Sequence, residues 1–206
     1  MTARYLNLLF SPAVKAVQQQ NGSRDAYAKR DTASEPDRLT EHEAQFIATR
    51  DSFYMASVGS SGWPYVQHRG GPTGFIKVLG EQTIGFADFR GNRQYVSVGN
   101  LADDSRVAMF MMDYPRRARL KLLGRARPVD LAAMPELAAT LIDETYGAKV
   151  ERGIVIEIEA FDWNCSQHIT ERFTLAEIEP TVDMLKTRIA ELEAQVASGR
   201  QAIDRP

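Results

Sequence analysis

Two short clusters of polar residues and glycine, 67–71 and 88–93, carry the side chains of this chain that are best suited to holding an anion. The first cluster reads QHRGG and the second reads DFRGNR. Arginine presents a planar fork of donors that matches phosphate oxygens, and glycine lets the backbone approach a ligand closely. Each cluster lies at the end of a run that is predicted as a strand, and binding residues often collect there. We therefore expect both clusters to hold one phosphate group.

The candidate binding residues come from both clusters. They are Gln67, His68, Arg69, Gly70, Asp88, Arg90, Asn92 and Arg93. Two guanidinium groups and an amide can share the charge of one dianion, and a helix predicted to follow Asn92 would add its N-terminal amides. An ordinary turn would explain Gly91 and Asn92 but neither arginine. His68 is a candidate acid. A lone histidine is more often structural, however, so no catalytic residue is assigned.

The elements that must position these clusters are predicted to be mostly short antiparallel strands. Strands are predicted over residues 53–58, 64–69, 74–79, 83–88, 106–113, 118–129 and 154–161. Helices are predicted over residues 13–20, 40–50, 93–101 and 131–146, and residues 23–38 are predicted to be a loop or an arm. Strands of this length and spacing favour a barrel.

Composition narrows the classes of protein that this chain can represent. The chain has 206 residues, 44% hydrophobic and 25% charged, and a formal net charge of −2, which argues against nonspecific nucleic-acid binding. No apolar run reaches the roughly 18 residues of a membrane span. The single cysteine, Cys165, excludes an internal disulfide and suits a reducing cytoplasm. The three histidines lack metal-ligand spacing, so no metal site is expected.

The charge is not evenly distributed along the chain. Although the net charge is −2, residues 88–127 carry nine basic and four acidic residues, so this region should prefer an anion.

Three segments in order carry a resemblance to a known family. They read PYVQHRGGPTGFIKV, TIGFADFRGNRQYVSVGNL and RVAMFMMDYPRRARLKLLGRAR. Over roughly residues 40–172 the chain resembles the flavin-binding split barrel of the pyridoxamine 5′-phosphate oxidase family. The resemblance implies a mainly β (α+β) fold, an antiparallel split β-barrel with flanking helices and a C-terminal helix. It also implies FMN as the cofactor and a homodimer with the cofactor at the subunit interface.

The resemblance adds further candidate residues around the flavin. They are Asn100, Arg119 and Lys121, together with Trp163, Gln167 and Arg172, which would reach the flavin from the other subunit. A cation near the flavin ring would stabilise its anionic reduced form, so Arg119 is expected to tune the potential. The true oxidases end in a motif that holds the substrate phosphate. This chain instead runs on into a helix, which argues against pyridoxamine phosphate as the substrate.

The segment after Pro180 shows the apolar spacing of a short coiled coil. Its seam consists of Val182, Leu185, Ile189, Leu192 and Val196. About two heptads are marginal alone, so the seam should pack on the barrel or, as we favour, on a partner chain. The predicted domains are an N-terminal helix and arm at 1–39, the FMN-binding split barrel at 40–175 and a C-terminal helical extension at 176–206.

Taken together, the residues and the resemblance predict a homodimeric FMN-binding oxidoreductase in the cytoplasm. It would pass electrons from a reduced donor of the NAD(P)H type to a small-molecule acceptor or oxygen, with no nucleic-acid or membrane partner. One alternative keeps the fold but replaces FMN with a deazaflavin or haem. Another is a non-catalytic flavin-binding sensor or carrier whose terminal helix docks a partner.

Overall fold

The computed structural model describes residues 2–30, 35–163 and 167–203, with side chains described as far as residue 197. Cys165 lies outside the described residues. The helices are α1 Ala3–Leu9, α2 Pro12–Gln20, α3 Arg24–Tyr27, α4 Glu41–Ala48, α5 Val96–Asp103, α6 Pro135–Leu141 and α7 Leu175–Ile203. The strands are β1 Ser52–Val58, β2 Pro64–Gly70, β3 Lys77–Gly80, β4 Thr83–Phe89, β5 Arg106–Asp113, β6 Ala118–Val129 and β7 Val150–Trp163.

The strands form one seven-stranded sheet in the order β2-β1-β5-β6-β7-β4-β3, and every neighbouring pair is antiparallel. The longest ladder joins β6 to β7. The edge strands are β2 and β3, and within the described residues neither forms a ladder with the other. The sheet therefore closes only in part, and the predicted antiparallel split β-barrel of α+β class is confirmed.

Alternation of side chains places the core on the inner face of this sheet. In β1 the buried residues are Phe53, Met55 and Ser57, with partly exposed residues between them. This period of two is that of a strand with one face covered. By contrast, β4 is buried on both faces from Ile84 to Asp88, because α6 and its neighbours form a second cluster outside the barrel.

The element bounds differ from the predicted ones where proline and glycine intervene. The helix predicted over residues 131–146 is instead a single 3₁₀ turn, Leu131–Ala133, followed by α6. Met134 has φ and ψ of −134° and 70°, outside the helical region that the residue before a proline tends to avoid. The strand predicted from residue 74 begins only at Lys77, because Gly74 has a φ of +79° and Phe75 closes a turn onto Pro72.

The flanking segments also differ from the prediction. Helix α3 lies within the segment that was predicted to be a loop or arm, and α1 was not predicted. Strand β7 begins at Val150 rather than residue 154, and α7 begins at Leu175, ahead of Pro180. In the described ranges no helix is both long enough and apolar enough to cross a membrane. The division of the chain into three domains stays a prediction.

Candidate functional site

A small cleft of about 60 Å³ lies where the barrel is split, between β2, β4 and the start of α5. The structure brings five of the predicted ligands together on its walls: Gln67, Arg69, Asp88, Asn92 and Arg93. Alternation along β2 explains which residues of the first cluster face the cleft. The side chains of Gln67 and Arg69 share one face of β2, and that of His68 points to the opposite face.

An ion pair crosses the split in the barrel. The guanidinium of Arg69 on β2 donates to the carboxylate of Asp88 on β4, and both side chains are largely buried. The other oxygen of Asp88 lies 3.4 Å from Nε of Arg152, which belongs to β7. Because β2 and β4 share no backbone ladder, these side chains join the two parts of the sheet at this point.

A second carboxylate organises the opposite wall of the cleft. Oε1 of Glu151 accepts a hydrogen bond from the Tyr95 hydroxyl at 3.1 Å, and Nη2 of Arg152 donates to its Oε2 at 3.1 Å. Nε of Arg90 lies 3.5 Å from Oε1 of the same carboxylate. Burial acts to raise the pKa of Glu151, but hydrogen bonds from Arg152 and Tyr95 outweigh it and hold that pKa below its ordinary value. Glu151 is therefore charged at neutral pH.

The charges around the cleft do not cancel. The side chains that border it or pair across it are four guanidinium groups and two carboxylates: Arg69, Arg90, Arg93 and Arg152 against Asp88 and Glu151. This leaves an excess of two positive charges. Arg93 has no ion pair within the described part of the chain, and the Tyr95 side chain raises the pKa of its guanidinium further above its ordinary value.

Two guanidinium nitrogens at the cleft, Nε of Arg69 and Nε of Arg152, are buried without a hydrogen bond to any residue that the structure describes. Nε of Arg152 still lies 3.4 Å from a carboxylate oxygen of Asp88. A buried donor without an acceptor is costly, so an acceptor supplied by a ligand would relieve that cost. The orphaned Nε of Arg69 and the excess of positive charge are both features of a site for an anion with several oxygens.

The start of α5 brings backbone donors to the same cleft. Tyr95 caps α5 with a left-handed φ of +54°, and Arg93 has a φ of +63°. Left-handed backbone at non-glycine residues is costly and tends to be kept at binding sites. The hydroxyl of Ser97, in the first turn of α5, donates to Oε1 of Gln67 at 2.9 Å and so fixes β2 against this helix. The N-terminal amides of a helix favour an anion.

A family model described as pyridoxamine 5′-phosphate oxidase matches residues 39–181, which include every strand and the whole cleft. The chain belongs to the pyridoxamine 5′-phosphate oxidase family. No protein among those with curated descriptions matches it.

Several solved structures share parts of the fold at low identity. HupZ of Group A Streptococcus is 12% identical and has a TM-score of 0.47, over 66% of this chain and 100% of its own. An FMN-binding protein of Syntrophomonas wolfei subsp. wolfei is 10% identical with a TM-score of 0.42, over 71% of this chain and 97% of its own. HutZ, the haem storage protein of Vibrio cholerae, is 15% identical with a TM-score of 0.38, over 62% of this chain and 94% of its own. At these values the similarity does not extend to ligands.

The remaining candidates that the resemblance to the oxidase family implied lie outside the cleft. On β6, Arg119 and Lys121 lie on the outer face of the sheet. Lys121 pairs with the buried carboxylate of Asp162, and its Nζ lies 4.7 Å from the centre of the Tyr5 ring. Burial and then Asp162 raise the pKa of Tyr5, while Arg119 acts to lower it, so these side chains form one cluster under α1.

Trp163 forms contacts with α4 of its own chain. Its indole N–H donates to Oε1 of Glu43 at 2.8 Å, and its ring packs edge-on against Phe46. Thr40 and Glu43 form a capping box at the start of α4. Burial acts to raise the pKa of Glu43, but hydrogen bonds from Thr40, Trp163 and His42 lower it to about 2.

Four further candidates are also away from the cleft. The Arg172 guanidinium stacks 5.0 Å above the Tyr114 ring, and Gln167 lies in an exposed turn. Asn100 donates to the Ser57 hydroxyl at 3.0 Å and so ties α5 to β1. Gly70 ends β2 on the face of His68. Contact of any of these with a flavin stays a prediction.

Sequence reasoning missed several residues of the cleft. They include Tyr65, Gln94, Tyr95, Ser97, Glu151 and Arg152. Tyr65 could have been found by extending the alternation of Gln67 and Arg69 one step back along β2. Glu151 and Arg152 were missed because the predicted strand began after them. Among the described residues, no group of His, Cys, Asp and Glu side chains could hold a metal ion.

Proposed function

We propose that this chain is an FMN-binding oxidoreductase that holds the flavin phosphate in the cleft at the split of the barrel. The observation that carries the proposal is the buried Nε of Arg69, which lacks an acceptor among the described residues in a cleft with two surplus positive charges. A phosphate monoester supplies both the acceptor and the two negative charges. FMN carries such a group, and a flavin without phosphate does not.

Arginine side chains and backbone amides of the cleft would both donate hydrogen bonds to the phosphate. Arg69, fixed by Asp88, would donate through its free Nε, and Arg93 would approach from the loop before α5. The amides at the start of α5 would add dipolar donors. FMN when bound supplies the exchange of electrons or hydride, so the protein needs only to bind and orient it. The donor we propose is a reduced nicotinamide, and the acceptor is a small molecule or oxygen.

The outer face of the sheet is where we propose that a second copy binds. Three apolar side chains on β1, β2 and β5 lie together there: Tyr54 stacks on Phe110 at 4.9 Å, and Val66 beside them is 58% exposed. Lys121 borders the same surface. A homodimer through this face would cover apolar surface that a single chain exposes. It would also bring the cluster under α1 close to the interface. The single cysteine of the sequence supports a cytoplasmic setting for this chemistry.

Titration with FMN and with riboflavin tests the phosphate site directly. We expect FMN to bind and riboflavin to bind much more weakly, because only FMN has the phosphate. Arg93→Gln should weaken FMN binding roughly ten- to hundred-fold and leave riboflavin unchanged. Arg106→Gln, which removes an exposed charge outside the cleft, is the matched control. Equal affinity for both flavins in the unsubstituted protein would refute the proposal.

Anaerobic reduction tests the redox part separately. NADH or NADPH should bleach the flavin absorption of the loaded protein. Tight FMN binding without reduction by either donor would instead indicate a sensor or carrier. A copurified ligand with the spectrum of a deazaflavin or of haem would replace FMN as the cofactor.

Val66→Asp tests the proposed homodimer interface, because it places a charge on that surface. Light scattering over a dilution series should then show that the dimer dissociates at a higher protein concentration than the unsubstituted dimer. Val17→Asp, on an exposed position of α2, should leave the mass unchanged. If Val66→Asp left the concentration at which the dimer dissociates unchanged, this face of the sheet would not be part of the interface.

A further inference from the structure

Helix α7 leaves a long apolar stripe without cover. It runs for 29 residues, and every side chain described along it, as far as residue 197, is exposed. The stripe consists of Ile178, Val182, Leu185, Ile189, Leu192 and Val196, which are 39% to 55% exposed. Spacings of four and three repeat along it. A stripe of this kind on a helix that does not pack on its own barrel needs a partner.

The order of residue types along the stripe selects the kind of partner. With Val182 at heptad position a, the a positions Val182, Ile189 and Val196 are β-branched. The d positions Leu185 and Leu192 are both leucine. In coiled coils, β-branched residues at a with leucine at d favour two parallel strands. Pro180 falls at position f, which faces away from a partner, and the a and d positions from Val182 to Val196 all follow it.

The charges beside the stripe fit a second copy of the same helix. Arg188 stands at position g and Glu193 at the following e, the two positions that meet across a parallel pair. In a symmetric pair this contact occurs twice. Within one helix, Nη1 of Arg188 lies 2.8 Å from Oε2 of Glu191, an exposed pair that leaves Glu193 for the partner. An antiparallel pair would instead place Lys186 near Glu193 of the partner subunit, but the pattern at a and d does not favour it.

We infer that α7 forms a parallel, in-register, two-stranded coiled coil with α7 of a second copy of this chain. The pairing buries the apolar stripe and joins Arg188 of each chain to Glu193 of the partner subunit. It does not depend on flavin binding.

Disulfide trapping in the full chain tests the pairing and its direction. In a Cys165→Ser background, Leu185→Cys places a thiol at position d, and mild oxidation should link two chains through that residue. Thr187→Cys, at the outward f position, should not form a link. A chain with Leu185→Cys mixed with one carrying Val196→Cys would link in an antiparallel pair. Linkage only in the mixture would overturn the parallel arrangement, and linkage in neither would overturn the pairing itself.

Charge reversal tests the contact between the helices. Arg188→Glu should slow the link at Leu185→Cys several-fold, because like charges then face each other at two places. Adding Glu193→Arg should restore the rate. The second change cannot restore the contact of residue 188 with Glu191 in the same helix, so recovery would identify the pair between chains. Absence of recovery would refute the proposed register. Flavin absorbance of the same samples reports the barrel site independently, so failure of the coiled coil and failure of FMN binding are distinguishable.

Discussion

Replacing Asp88 with asparagine should lower stability and raise affinity for FMN at the same time. The side chain of Asp88 is only 8% exposed and lies between two guanidinium groups, those of Arg69 and Arg152. Asparagine keeps its shape and removes its charge. The same carboxylate therefore holds the barrel together and opposes an anion in the cleft.

The size of each effect follows from burial and charge. Removing one partner of a buried ion pair typically costs about 3–5 kcal/mol. We expect the lower end, about 3 kcal/mol, because Arg152 is 26% exposed and water screens its charge. In the cleft, the excess of positive charge rises from two to three. Relief of repulsion between Asp88 and a phosphate should tighten binding by roughly ten-fold, which corresponds to about 1.4 kcal/mol.

Urea unfolding with and without FMN measures both effects. Without FMN, Asp88→Asn should unfold at lower urea than the unsubstituted protein. Bound FMN stabilises in proportion to the logarithm of its concentration over Kd, so the difference should narrow as FMN is added. Glu81→Gln is the control, because it removes the charge of Glu81 from its exposed ion pair with Arg38. It should change neither stability nor FMN affinity measurably.

Two results would refute this reasoning. If Asp88→Asn weakened FMN binding, the main role of Asp88 would be to aim Arg69, and the charge balance of the cleft would not govern affinity. If stability without FMN did not change, the ion pair across the split would not hold the barrel together.

Two further predictions concern the scaffold. Hydrogen bonds, including the one from Trp163, lower the pKa of Glu43 to about 2. The charged carboxylate therefore stabilises the fold fully at pH values above its ordinary pKa near 4.5. This stabilisation is lost as the pH falls through about 2. Glu43→Gln should therefore cost up to about 3 kcal/mol at pH 7, and urea titrations should show the difference shrinking between pH 4.5 and pH 2. Gly124→Ala should cost roughly 1–3 kcal/mol, because the new Cβ would lie 2.5 Å from the Glu157 carbonyl oxygen. Gly80→Ala, with open space around it, is its control, and equal melting temperatures for the two variants would contradict the clash.

Local patterns predicted the strands well because alternation is a property of neighbouring residues. The alternation in β1, and the residues Pro12 and Asn21-Gly22 that bound α2, are local features that need no long-range information. The prediction failed where one residue changed the backbone, as at Met134, which ends a helical turn before Pro135. It also failed for α1, which forms a short helix whose Leu6 is buried beneath the rest of the chain.

The sequence predicted individual binding residues in each cluster, but it did not predict the contacts between the clusters. Arg69 and Asp88 are 19 residues apart, and each was proposed for its own side-chain chemistry. Their direct pairing was not anticipated, and neither was the participation of Arg152, because β4 pairs with β7 only after the sheet order is known. Side-chain direction also decided the outcome, because His68 is adjacent to Arg69 but lies on the other face of β2.

The position of the cleft connects binding to the integrity of the barrel. A closed barrel satisfies every strand edge with backbone hydrogen bonds, whereas this sheet ends at β2 and β3. Strand β3 pairs with β4 only as far as Gly85, so the edge of β4 at Asp88 has no ladder on that side. Arg69 and Asp88 hold the two strands by a side-chain contact in place of a backbone ladder. A phosphate that accepts from Nε of Arg69 would add a second link at the same guanidinium. A bound phosphate should therefore hold the Arg69 side chain at the split, while the negative charge of Asp88 lowers the affinity for that phosphate.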